Sequence, residues 1–194
     1  MKKQLILTIS FILSFIYIFP QTNHSKDSKE SDLRTGLVFK NVSENRLEDS
    51  SYTDTIQLLN LMGSVQALQF KLLFNKSSDD SKILIFKSVQ KGADLSDPGW
   101  LLEYNILADK SQSDKESKDE ILVLLYNSNI EGGLVPGDYN SLLELNYEVI
   151  HLPKFSNNVK SSISISNPEA GSTEGNKINI SAKQNELKIF VNSK

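Results

Sequence analysis

The chain has 194 residues, 39% hydrophobic and 23% charged, with a formal net charge of −3, which suits one globular domain of ordinary size plus appended segments. It has no cysteine, which excludes disulfides, thiol nucleophiles, cysteine-based metal sites and a cysteine-linked lipid anchor. No stripe of Lys and Arg interleaves with aromatics, so nucleic-acid binding has little support.

Residues 1–21 open with Lys2 and Lys3 and continue as an apolar run from Leu5 to Phe19. About 15 apolar-rich residues are too few to span a bilayer comfortably and fit the core of a signal peptide, an uncleaved anchor being the alternative. Residues 22–35 are Ser, Lys, Asp and Glu with almost nothing apolar, the composition of a disordered linker. The folded domain is expected over 36–194, outside the cytoplasm, secreted or at the cell surface.

From Gly36 the pattern is that of strands. Leu37–Lys40 and Thr53–Leu61 come first, and Met62-Gly63-Ser64 turns the chain into its organising stretch, Val65–Asn75. There Leu68, Phe70, Leu72 and Phe74 alternate with Gln69 and Lys71, so one strand face is buried and the other is not. Further strands are predicted at Ile83–Val89 and Trp100–Leu107. Ile121–Tyr126 is apolar on both faces, as in the middle of a sheet or under a cover. In Leu143–Val149, Leu143, Leu145, Tyr147 and Val149 alternate with polar residues, and short strands follow at 161–166, 177–181 and 186–192. Nine or ten short strands with frequent turn signals and no amphipathic helix make an all-β sandwich or jelly roll.

The segments Val65–Asn75, Ile83–Gly92, Ile121–Asn127, the turn Gly137-Asp138 and Leu142–Val149 together resemble a cohesin domain over about residues 37–182. The resemblance implies a nine-stranded jelly-roll sandwich and a protein partner, a dockerin or dockerin-like module, bound on one outer sheet face. Carried over, the two outward positions of the central strand are Ala67 and Gln69, the polar contacts after the doubly apolar strand are Asn127 and Asn129, and the aromatic of the fifth strand is Tyr104.

For catalysis the residues offer little. His24 falls in the linker and His151 at a strand end, Asp79, Asp80, Asp94 and Asp97 lie in loops without calcium-loop spacing, and no Gly-rich phosphate loop opens a helix. No catalytic residue, metal or cofactor is expected. If Ile121, Val123 and Leu125 point inward, Leu122, Leu124 and Tyr126 form an outward apolar stripe of the kind that marks a contact surface. The expected partner-binding residues are Gln69, Lys71, Leu122, Leu124, Tyr126, Asn127 and Asn129. The alternative function is polysaccharide binding on Trp100, Tyr104 or Tyr126, whose rings would stack on sugars if exposed; Trp100 and Tyr104 also share a strand face with Leu102 and Ile106, as core residues would.

Overall fold

In the computed structural model, residues 35–75, 83–107, 119–129, 131–150, 159–181 and 185–192 are described. The expected signal peptide, residues 22–34 of the expected linker and His151 lie outside them. Thr35, expected as the linker's last residue, instead belongs to the domain, buried with its Oγ1 donating to the Asn60 carbonyl at 2.7 Å. Every element among the described residues is a strand: β1 (Gly36–Phe39), β2 (Ser43–Leu47), β3 (Ser50–Leu61), β4 (Ala67–Asn75), β5 (Leu84–Lys91), β6 (Trp100–Leu107), β7 (Asp119–Asn127), β8 (Gly137–Val149), β9 (Val159–Gly171), β10 (Lys177–Ile178) and β11 (Glu186–Asn192).

The strands form two sheets. One has the order β1-β3-β8-β5 and the other β2-β11-β9-β4-β7-β6, with β10 attached to β9. Only β2 and β11 pair in parallel among the described strands. Because side chains alternate along each strand, the inward sets of both sheets meet in one interior. Leu68, Phe70, Leu72 and Phe74 of β4 are buried there with Ile121, Val123 and Leu125 of β7 and Leu143, Leu145 and Tyr147 of β8. The all-β sandwich is thus as expected.

Eleven strands stand against the nine or ten expected, and the one with no counterpart in the sequence reading is β2, which carries no apolar alternation to reveal it. Ser43, Asn45 and Leu47 are exposed, and the strand is fastened by polar contacts instead. Arg46 Nη2 donates to both oxygens of Asp54 at 2.9 and 3.1 Å, Arg46 Nε donates to the Tyr147 hydroxyl at 3.2 Å, and that hydroxyl donates to Asp54 Oδ2 at 2.7 Å. The guanidinium also lies 4.6 Å from the centre of the Tyr52 ring. One side chain from the edge of the larger sheet thereby reaches into the smaller one and closes that flank of the sandwich. Burial would lower the Arg46 pKa, but the hydrogen bond to Tyr147 and the adjacent Asp54 carboxylate hold it above its ordinary value. Burial, and then the Asp54 charge, push the Tyr147 hydroxyl well above the usual tyrosine range.

The pairing of β4 with β9 contains an irregularity. Gln69 faces Glu169 and Lys71 faces Ser166, so Asn167 and Pro168 together stand against Phe70 alone. This is a bulge, with Asn167 in the left-handed region at φ 48. Asn tolerates that region, and Pro lacks the N–H that a regular ladder would use there.

Candidate docking face

The two outer faces of the sandwich differ in chemistry. On the smaller sheet, cross-strand rungs run Thr53–Asn146–Ser88 and Thr55–Glu144–Gln90. The first is hydrogen-bonded across all three strands, Thr53 Oγ1 to Asn146 Oδ1 at 2.6 Å and Asn146 Nδ2 to Ser88 Oγ at 3.1 Å. The centre of that face is polar, with apolar Ile85 and Val38 on the two edge strands beside Glu148 and Gln57.

The larger sheet is different. The β4–β7 register places Ala67 beside Tyr126, Gln69 beside Leu124, Lys71 beside Leu122 and Leu73 beside Glu120. The β7–β6 register adds Leu101 beside Tyr126, Glu103 beside Leu124, Asn105 beside Leu122 and Leu107 beside Glu120. Residues directly opposite each other in an antiparallel pair share a face. The outer surface of β4, β7 and β6 therefore carries Leu122 and Leu124 at its centre, with Leu73, Leu101 and Leu107 around them. Leu122, Leu124 and Tyr126 are half-buried by their neighbours and Leu101 is exposed. Ile121, Val123 and Leu125 are inward and fully buried, as the outward assignment of their neighbours requires.

Polar groups border this strip. Lys71 Nζ pairs with Glu120 Oε1. The Tyr126 hydroxyl donates to Glu103 Oε1 at 3.0 Å; burial, with that carboxylate's bond and charge, raises its pKa. Ser162, Ser164 and Ser166 of β9 continue the face beyond β4.

The expected site residues divide at this point. Gln69, Lys71, Leu122, Leu124 and Tyr126 come together on one surface. Asn127 does not join them, because it shares the inward register with Trp100 and is buried. Its Nδ2 donates to Asp97 Oδ2 at 3.1 Å, and its Oδ1 accepts from the Asn129 N–H at 2.9 Å. It ties the 92–99 loop to the 127–133 loop rather than facing outward. Asp97 also accepts from the Gly99 N–H at 2.8 Å, and these two bonds, that of Gly99 first, hold its pKa below the usual carboxylate value. Asn129 is exposed at the end of the face, its carbonyl accepting from Gln66 Nε2 at 3.1 Å.

The aromatics proposed as sugar platforms fare unevenly. Trp100 is 3% exposed, so its face is not open to a ring stacked from solvent. Tyr104 is 43% exposed but stands on the inward register at the edge strand β6, its ring edge-on to Phe86 with centroids 5.2 Å apart. Tyr126 lies on the opposite side of the sheet. The three rings do not make one platform. Leu73, Leu101, Glu103, Leu107 and Glu120 were not singled out from the sequence; alternation along β4 and β6 carries their signal, but only with register in hand. Among the described residues no group of three or more His, Cys, Asp or Glu is placed to hold a metal ion.

No protein-family model matches the chain, and no curated protein matches it in sequence. Solved structures do match in fold, cohesins among them. A cohesin of Clostridium thermocellum, solved in a type I cohesin–dockerin complex, aligns at TM-score 0.64 and 16% identity over 87% of this chain and 100% of its own. The sixth cohesin of scaffoldin B from Acetivibrio cellulolyticus, in complex with a dockerin, aligns at 0.56 and 19% over 83% and 99%. A non-cellulosomal cohesin from the archaeon Archaeoglobus fulgidus aligns at 0.55 and 14% over 83% and 91%. The domain has the cohesin fold.

Proposed function

We propose that this chain is a non-catalytic interaction module, exported to the cell surface or beyond, that binds a dockerin-like protein through the outer face of β9, β4, β7 and β6. The reading is carried by one observation. Of two outer sheet faces, one is polar and hydrogen-bonded across its centre and the other bears a leucine strip centred on Leu124. Contiguous apolar surface bordered by polar residues is characteristic of contact sites. Two of the cohesins of like fold were solved with dockerins bound, which supports a protein rather than a sugar as the partner.

The test is Leu124→Lys. Lys is the better probe than Glu, because position 124 lies directly opposite Glu103 and a second carboxylate there would add repulsion within the domain. The wild-type domain, Leu124→Lys and a Glu144→Lys control on the polar face are each used to capture partners from the source organism's secreted fraction. A protein retained by the wild type and the control but lost with Leu124→Lys is the expected result. Unfolding of Leu124→Lys would place Leu124 in the core, and unchanged capture would place the contact surface elsewhere.

A further inference from the structure

The charged groups on this face follow a pattern of their own. Among the described residues, the outward side chains of β9, β4, β7 and β6 include five that carry charge: Lys160, Glu169, Lys71, Glu120 and Glu103. Each has a partner on the same sheet. Lys71 pairs with Glu120, Glu169 Oε1 lies 3.7 Å from Lys177 Nζ, Glu103 accepts from the Tyr126 hydroxyl, and Lys160 Nζ sits 5.8 Å from the centre of the Phe190 ring. Two of these contacts join opposite signs, and with Lys177 counted the positive side chains Lys160, Lys71 and Lys177 balance the negative Glu169, Glu120 and Glu103, so the face has little net field to project. The centre of the strip, Leu122 and Leu124, carries no charge at all.

Resting on the docking-face reading, we infer that the partner of this face is selected by apolar shape and not by charge: it presents a near-neutral apolar ridge, and its association is neither steered nor screened electrostatically. The ionic groups keep a leucine-bearing sheet soluble in the free domain without choosing the sign of what binds. The dimensions fit one helix. Strands lie about 4.8 Å apart, so β4 to β6 spans about 10 Å, roughly the diameter of an α-helix with its side chains. An amphipathic helix with a leucine stripe laid along β7 would cover Leu122, Leu124 and the flanking leucines together.

The probes are three synthetic helical peptides with one leucine stripe and neutral, basic or acidic outer faces, titrated into the wild-type domain at about 50 and about 500 mM salt. The neutral peptide is expected to bind best or equally well. Its dissociation constant should change by less than about twofold across that salt range, and its association rate should stay near the unsteered ~10⁵–10⁶ M⁻¹s⁻¹. A basic or acidic peptide binding about tenfold more tightly than the neutral one at low salt, and losing that advantage at high salt, would overturn the inference. So would a lack of saturable binding by the neutral peptide. In Lys71→Met, Glu120 loses its partner, and a low-salt preference for the basic peptide should appear; an unchanged ranking counts against self-compensation. Leu124→Lys separates the two layers. If it binds the neutral peptide as the wild type does, the face is wrongly placed, whatever the charge series shows.

Discussion

Tyr147→Phe removes one oxygen from the interior and tests the contact that locks β2 to the smaller sheet. The Tyr147 hydroxyl is fully buried, donates to Asp54 Oδ2 at 2.7 Å and accepts from Arg46 Nε at 3.2 Å. Hydrogen bonds to charged groups contribute about 1.5–3 kcal/mol, and Asp54 keeps its two bonds from Arg46, so about 2 kcal/mol is expected at pH 7. Alkali should erase this difference. Burial and the Asp54 charge raise the folded-state pKa above 10.0, so the stabilisation is complete below the unfolded value and declines as pH rises above it. Unfolded Tyr147 ionises near 10 while the folded residue stays protonated, which costs the wild type about 1.4 kcal/mol per pH unit beyond that point. Near pH 11.5 the loss is about 2 kcal/mol, and wild type and variant should then be about equally stable. Ionisation of Tyr126, Tyr139 and the lysines is common to both proteins and cancels in the comparison. Urea titrations of the two proteins at pH 7 and 11.5, with matching slopes, give the measurement. A gap that stays constant between the two pH values, or is below about 0.5 kcal/mol at pH 7, would refute the reasoning.

Phe70→Ala should cost roughly 3–5 kcal/mol, because the ring is fully buried in the interior between the two sheets; a loss under about 1 kcal/mol would contradict that packing. Gly92→Ala should destabilise by at least about 2 kcal/mol in thermal unfolding, since its new methyl would run into the backbone carbonyl of Ser141. Asn127→Ala should lower stability by about 1–2 kcal/mol while leaving partner capture intact, as a buried loop tie and not a contact residue would. Asp97, whose pKa is held low by Gly99 and Asn127, contributes stability that is present above its unfolded pKa and lost as pH falls through the folded one. The acid limb of the stability curve should therefore be shallower in Asn127→Ala than in the wild type.

The alternation in Val65–Asn75 was enough to say that Phe70 is inside and Lys71 outside, because a pleated backbone turns successive side chains to opposite faces regardless of what surrounds it. The same rule applied to Ile121–Tyr126 separated Val123 from Leu124 correctly. Alternation is a property of one strand, however, and says nothing about which strand lies alongside or in what register. Only the sheet order placed Leu122 and Leu124 between Lys71, Gln69, Asn105 and Glu103, turning an apolar stripe into a bordered strip. Trp100 is buried, as its shared face with Leu102 and Ile106 favoured. Alternation likewise puts Asn127 on the face of Ile121, Val123 and Leu125, against the outward place the family resemblance gave it. Tertiary packing supplied what it meets there, Asp97 and the Asn129 N–H. β2 left no trace in the pattern because its hold on the fold is polar, one arginine reaching an aspartate and a tyrosine from distant strands. Local periodicity decides which way a side chain points; long-range pairing decides what it meets there, and a docking face is a property of the second.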